Sequence, residues 1–165
     1  QAGAGDDLVD LTSSRFEFSG ENIEIYGGDG DDILWGREER NILFGDEGND
    51  ILTGGAGNDI LTGGSGNDTL QGGGGDDIFT FGGNWGNDTI EQLAGGSVTL
   101  WFEDGSASNW DADALTYSDE TNSVKVTGVD TVILKFGADV SLPDGCFADA
   151  ASLKIFEDKN KGMLA

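Results

Sequence analysis

Histidine is absent from this chain, and cysteine and proline occur once each. A lone Cys146 forms no intramolecular disulfide, and without histidine a Cys–His nucleophile pair is excluded. Basic residues are scarce too, 8 against 32 acidic ones, for a formal net charge of −24. That balance disfavours direct contact with nucleic acid, so no nucleic-acid partner is expected. No apolar run reaches membrane-spanning length, and no membrane insertion by this stretch is expected. The opening QAGAGDDLVD lacks the build of a cleavable leader, and the chain reads as a piece of a longer protein.

Acidity alone would suggest a solvated or disordered chain. Against that stand 36% apolar residues, four Trp and nine Phe, enough for cores. The 29 glycines are periodic rather than scattered. Between Gly27 and Thr80 one nonapeptide is written six times: GGDGDDILW, GREERNILF, GDEGNDILT, GGAGNDILT, GGSGNDTLQ and GGGGDDIFT. Five of the six keep Gly at positions one and four, Asp at six and a large apolar residue at eight. A fixed period decides architecture before local propensity does.

The glycines let the backbone turn through positive φ and leave room for carbonyl oxygens to converge. Positions seven to nine make a short strand whose alternation sends position eight inward. Two nonapeptides then form one turn of a flattened right-handed coil, with loops on both rims. Its inner ladder is Leu34, Leu43, Leu52, Leu61, Leu70 and Phe79. The Ile residues at position seven, Ile33, Ile42, Ile51, Ile60 and Ile78, face outward in this reading. One side chain per half-turn is a thin core, and rows of stacked carboxylates repel. Cations between the loops answer both problems, and a donor set of oxygens alone selects a hard ion such as Ca2+. Evenly repeated, equivalent carboxylates lack the asymmetry that acid–base catalysis needs, so no enzyme activity is expected here.

These repeats resemble the GGxGxDxUx nonapeptide of RTX (repeats-in-toxin) proteins, over 54 of the 165 residues. The resemblance implies an all-β fold, a right-handed parallel β-roll (a β-solenoid) that binds calcium. It places each ion between loops eighteen residues apart, held by position-six carboxylates and backbone oxygens. Carried over, one rim stacks Asp32, Asp50, Asp68 and Asp88, the last from a seventh motif, GGNWGNDTI, which carries an insertion. Its accessory ligands would come from Gly27, Asp29, Asp31, Gly45, Glu47, Gly48, Asn49, Gly63, Gly64, Ser65, Gly66 and Asn67. The other rim stacks Asn41, Asp59 and Asp77, with Gly54, Ala56, Asn58, Gly73 and Gly75 as accessories. Three or four ions are implied. In GREERNILF, Asn41 lacks the charge, and either a guanidinium of Arg37 or Arg40 substitutes for a cation beside Asp59 or both arginines are solvated.

The flanks are organised around this block. Residues 1–26 read as degenerate turns capping the roll, with GAGDDLV a worn repeat carrying Asp7 at position six. Residues 91–142 read as an antiparallel β cap, with Trp85, Trp101 and Trp110 giving bulk and hairpin turns at 118–122 and 128–130. Asp111 and Asp113 form a DxD that reads as a solvated loop. In the tail, 143–165, Phe147, Ala151 and Ile155 fit a short amphipathic helix, with strand the alternative at 152–156. The resemblance further implies a monomeric module of a secreted or surface protein of a Gram-negative bacterium. It would be unfolded before export, folded by calcium outside, and partnered by the type I secretion machinery and upstream domains. The rival reading is a calcium-rigidified spacer or ligand-binding end of a surface adhesin, contacting sugar or protein through Trp101 or Trp110.

Overall fold

The period of two nonapeptides reappears as the register between neighbouring strands. The computed structural model describes residues 1–13, 23–92, 96–103, 110–112, 114–128, 131–136 and 152–157. Sixteen strands, numbered β1 to β16 in chain order, make two eight-stranded sheets, with no helix among the described residues. The first sheet runs β1 (Gly3–Ala4), β3 (Ile23–Asp29), β5 (Asn41–Glu47), β7 (Ile60–Ser65), β9 (Asp77–Phe81), β11 (Val98–Phe102), β15 (Thr131–Phe136), β16 (Ser152–Glu157). The second runs β2 (Leu8–Asp10), β4 (Ile33–Trp35), β6 (Ile51–Gly55), β8 (Thr69–Gly73), β10 (Asn87–Glu91), β14 (Ser123–Thr127), β13 (Thr116–Ser118), β12 (Trp110–Asp111). Through the repeats the chain alternates between sheets and each strand pairs in parallel with the one a full turn away. This is the expected β-roll.

Position eight closes the interior. Leu34, Leu52 and Leu70 stand in register across the second sheet, and Leu43, Leu61 and Phe79 across the first. All six are 0% exposed. The worn N-terminal repeat joins the same column, with Val9 opposite Leu34. Position seven is less uniform than alternation suggests. Ile51 is 42% exposed, but Ile42 and Ile60 on the first sheet are buried. An outward apolar stripe therefore does not run along both sheets.

Beyond the repeats the coil continues without them. Strand β11 pairs in parallel with β9, β14 with β10, and β15 with β11. Among the described residues antiparallel pairing is confined to β12–β13–β14 at the end of the second sheet and β15–β16 at the end of the first. The stretch read as an antiparallel cap is thus two parallel rungs with antiparallel edges. Alternating apolar residues (Val98, Leu100, Phe102; Val124, Val126; Val132, Leu134, Phe136) supply an interior that needs no metal loop. Phe81, Trp85, Phe102, Tyr117 and Phe136 pack there, with Phe102 and Tyr117 stacked at 4.0 Å between centroids. Burying aromatic rings of this size replaces the stabilisation that thin repeats lack.

Two flank readings change and one holds. Ser152–Glu157 is a strand rather than part of a helix, because pairing with β15 satisfies its backbone and a short apolar run fits either periodicity. The turn at 118–122 is a hairpin, closed by Asp119 Oδ1 accepting from the Thr121 and Asn122 amides at 2.8 Å. Gly128 instead begins a crossing, since β14 and β15 belong to different sheets. Arg15–Phe18, Asp113, Pro143, Cys146 and Phe147 lie outside the described residues.

Candidate metal centre

Where a loop becomes a strand, position six carries its side chain back under the loop. Asp32, Asp50, Asp59, Asp68, Asp77 and Asp88 are all 0–3% exposed. One oxygen of each is already used. The Oδ1 atoms accept the backbone amides of Asp7, Asp32, Asn41, Asp50, Asp59 and Asp68, one turn earlier, at 2.6–2.9 Å. The insertion in the seventh motif is absorbed: Asp88 meets Asp68 across twenty residues instead of eighteen.

The second oxygen is the chemical feature. No hydrogen-bond donor meets Oδ2 of Asp32, Asp50, Asp59, Asp68 or Asp88 among the described residues. Each of the first four lies against its own position-one glycine or the loop above it. A methyl group added at Gly27, Gly45, Gly54 or Gly63 would strike the Oδ2 of Asp32, Asp50, Asp59 or Asp68. The same methyl would also meet a carbonyl of the next turn, that of Gly45 for Gly27, Gly63 for Gly45 and Gly72 for Gly54. Position one is glycine because two oxygens converge on its Cα. A buried anionic oxygen facing carbonyls is costly without a cation and well placed with one. Calcium, which takes six to eight oxygens, fits this donor chemistry. No three acidic or cysteine side chains converge among the described residues, so a cradle draws on one or two carboxylates together with backbone carbonyls.

The electrostatics agree. Burial pushes Asp50, Asp59 and Asp68 up to about 6, and their amide hydrogen bonds only partly offset it. Asp88 is pushed up by burial to about 8, and Asp77 is raised by burial too. Asp46, at position two, is raised by burial and then by the charges of Asp32 and Asp29. It also holds φ at 77°, a conformation costing a side chain roughly 1–2 kcal/mol. Asp46→Gly should therefore stabilise the fold by about 1 kcal/mol, read as a higher urea midpoint with unchanged slope.

The accessory positions divide. Carbonyls at position one line the cradles. At position three, the Asp29, Glu47 and Ser65 carbonyls accept the amides of Gly5, Gly30 and Gly48 at 2.6–2.9 Å. Position five makes a ladder outside the cradles, where Asp31, Asn49 and Asn67 Oδ1 accept the backbone amides of Asn49, Asn67 and Asn87 at 2.7–3.0 Å. Asn58 does the same for Asp76 at 3.0 Å. The carbonyls of Gly48, Gly66 and Gly75 face the glycines of the next turn, and that of Asp46 faces Gly64. Gln92, not signalled by any repeat position, donates through Nε2 to the Gly73 carbonyl and to Asp77 Oδ2, both at 2.9 Å. Only its register marks it: Ile90 pairs with Leu70, which sets Gln92 level with Gly72.

The degenerate second repeat differs from the sequence expectation. Arg37 Nε lies 3.4 Å from Glu39 Oε2, and Arg40 contributes only a minor lowering at Asp59. The group among the carbonyls is the Asn41 amide. Its Nδ2 donates to the carbonyls of Arg37, Glu39 and Gly54 at 2.9, 2.5 and 3.0 Å.

No curated protein sequence matches this chain. The RTX calcium-binding nonapeptide repeat model matches it over residues 26–61 and 53–90, in four copies. That family is a structural calcium-binding module and not an enzyme family. Residues 26–90 thus carry RTX calcium-binding nonapeptide repeats.

Proposed function

We propose that this stretch is a calcium-dependent folding module of an exported bacterial protein, and that its loops hold three or four Ca2+ ions. The observation that carries the reading is the row of buried Oδ2 atoms without a donor, those of Asp32, Asp50 and Asp59 beside a carbonyl of the next turn. Sites at Asp32–Asp50, Asp50–Asp68, Asp59–Asp77 and Asp68–Asp88 follow from it, with position-one carbonyls completing the shells. The position-three and position-five oxygens are secondary ligands in this reading.

Calcium supplies the positive charge that lets the carboxylates ionise in place, so binding energy becomes folding energy. Extracellular modules bind in the range of about 0.1–1 mM, which makes a chain that stays loose inside a cell and folds outside it. RTX repeats are typical of secreted bacterial proteins. The module would thus serve type I secretion and the folding of upstream domains, with residues 27–90 as the calcium block and its flanks as caps. The adhesin reading loses its proposed contacts, since Trp101 and Trp110 are 2% and 8% exposed.

Thermal unfolding in calcium and in magnesium tests this. Each ion at about 100-fold its Kd adds about 2.7 kcal/mol, so calcium should raise Tm by roughly 20 °C or more. Magnesium should do little. Gly63→Ala, whose methyl would occupy the Asp68 cradle, should lose part of that rise. An equal rise in magnesium, or a Gly63→Ala protein with the full rise, would count against the proposal.

A further inference from the structure

The two rims are chemically unequal, and the difference lies in two buried amides. On the rim of Asp32, Asp50, Asp68 and Asp88, every Oδ2 is without a donor. On the other rim only Asp59 is. Its ends are occupied: Asn41, 0% exposed, at one, and Gln92, 3% exposed, at the other. Asn41 Nδ2 sits among carbonyls of positions two and four of its own loop and position one of the next turn, at 2.5–3.0 Å. Gln92 Nε2 bridges a position-two carbonyl and the Asp77 carboxylate, at 2.9 Å each. Both are NH2 groups where the neighbouring loops present only oxygens. The orientation of Asn41 is set by its partners, since its Oδ1 accepts the Arg37 amide at 3.2 Å while Nδ2 faces acceptors alone.

We infer that the Asn41 and Gln92 side-chain amides are built-in substitutes for calcium, each closing one loop site of this rim with a neutral donor. A carboxamide brings N–H groups to carbonyls as an ion brings charge, but needs no calcium to do it. The Asp59 loop is then the sole calcium site between two permanent plugs, while the opposite rim depends on calcium along its length. The first and last cradles of the Asn41–Gln92 rim are ordered before calcium arrives. This rests on the calcium-binding reading above, and deepens it by assigning which loops do not bind.

Counting bound calcium by native mass spectrometry on the full chain tests the inference. Asn41→Asp restores the position-six carboxylate, and Gln92→Gly restores the position-one glycine. Each should bind one more ion than the parent chain, and the double variant two more. Each should also need more calcium than the parent to reach the folded state. If Gln92→Gly does not fold, Gln92→Glu keeps the length and should still gain one ion. Variants that keep the parent's count would overturn the inference while leaving the calcium reading intact. A parent chain that binds no calcium would overturn that reading itself.

Discussion

In calcium-stripped buffer this chain should be more stable at pH 5 than at pH 7.5, and calcium should reverse the order. Burial lifts Asp50, Asp59 and Asp68 from 3.8 to about 6, and Asp88 to about 8, in the folded chain. A group whose folded pKa lies above its unfolded one contributes stability that is complete below the unfolded value. That stability is lost as pH rises through the folded value, because the native state binds more protons. The window for the three central carboxylates is therefore about pH 4 to 6, with Asp88 extending it to about 8. At pH 5 the chain is still above its pI of about 4.1, which keeps it clear of isoelectric precipitation. The β signal and compaction retained in calcium-stripped buffer at pH 5 should decline as pH rises to 7.5. Calcium binds the ionised carboxylates, so with saturating calcium the slope should change sign. Asp68→Asn, with one fewer titrating group, should show a shallower fall. Equal slopes with and without calcium would mean that these carboxylates do not couple to the ion.

Replacing Leu61 with alanine should cost about 2–5 kcal/mol even with calcium saturating. Leu61 is fully buried and stands between Leu43 and Phe79 in a column only one side chain deep. Strands spaced about 4.8 Å apart by backbone hydrogen bonds leave the neighbours little freedom to close the gap. Since a domain's total stability is about 5–15 kcal/mol, the calcium-free variant should be unfolded. Ile51→Ala, at the 42% exposed outward position, should cost less than about 1 kcal/mol. Urea titrations in saturating calcium compare them. Similar losses at both positions would contradict a fold held by a single interior column.

Much of this was legible because the repeat couples backbone and chemistry at fixed spacing. A period of two nonapeptides predicts the strand register and the Leu34-to-Phe79 ladder, and it singles out the position-six aspartates, though not their burial. The flanks lack that redundancy. Alternation at Val98–Phe102 or Thr131–Phe136 marks a strand but not its partner, and so the parallel continuation beyond Glu91 was hidden. Ser152–Glu157 failed as a helix for the same reason: a short apolar run carries either period until a neighbouring strand selects one. Asn41 was visible as a missing charge, but its replacement was sought in Arg37 and Arg40 rather than in the amide itself. Gln92 carried no signal, because two extra residues in the seventh motif shift it out of the nonapeptide frame and only the Ile90–Leu70 pairing restores its place.

The central claim is that calcium supplies the folding energy of the roll. Its most direct test is a calcium titration followed by far-UV circular dichroism and hydrodynamic radius together, with magnesium as control. The account predicts a cooperative gain of β signal with compaction in calcium, at about 0.1–1 mM, and no such transition in magnesium. A compact β fold already present in calcium-stripped buffer at pH 7.5, unchanged by added calcium, would contradict it.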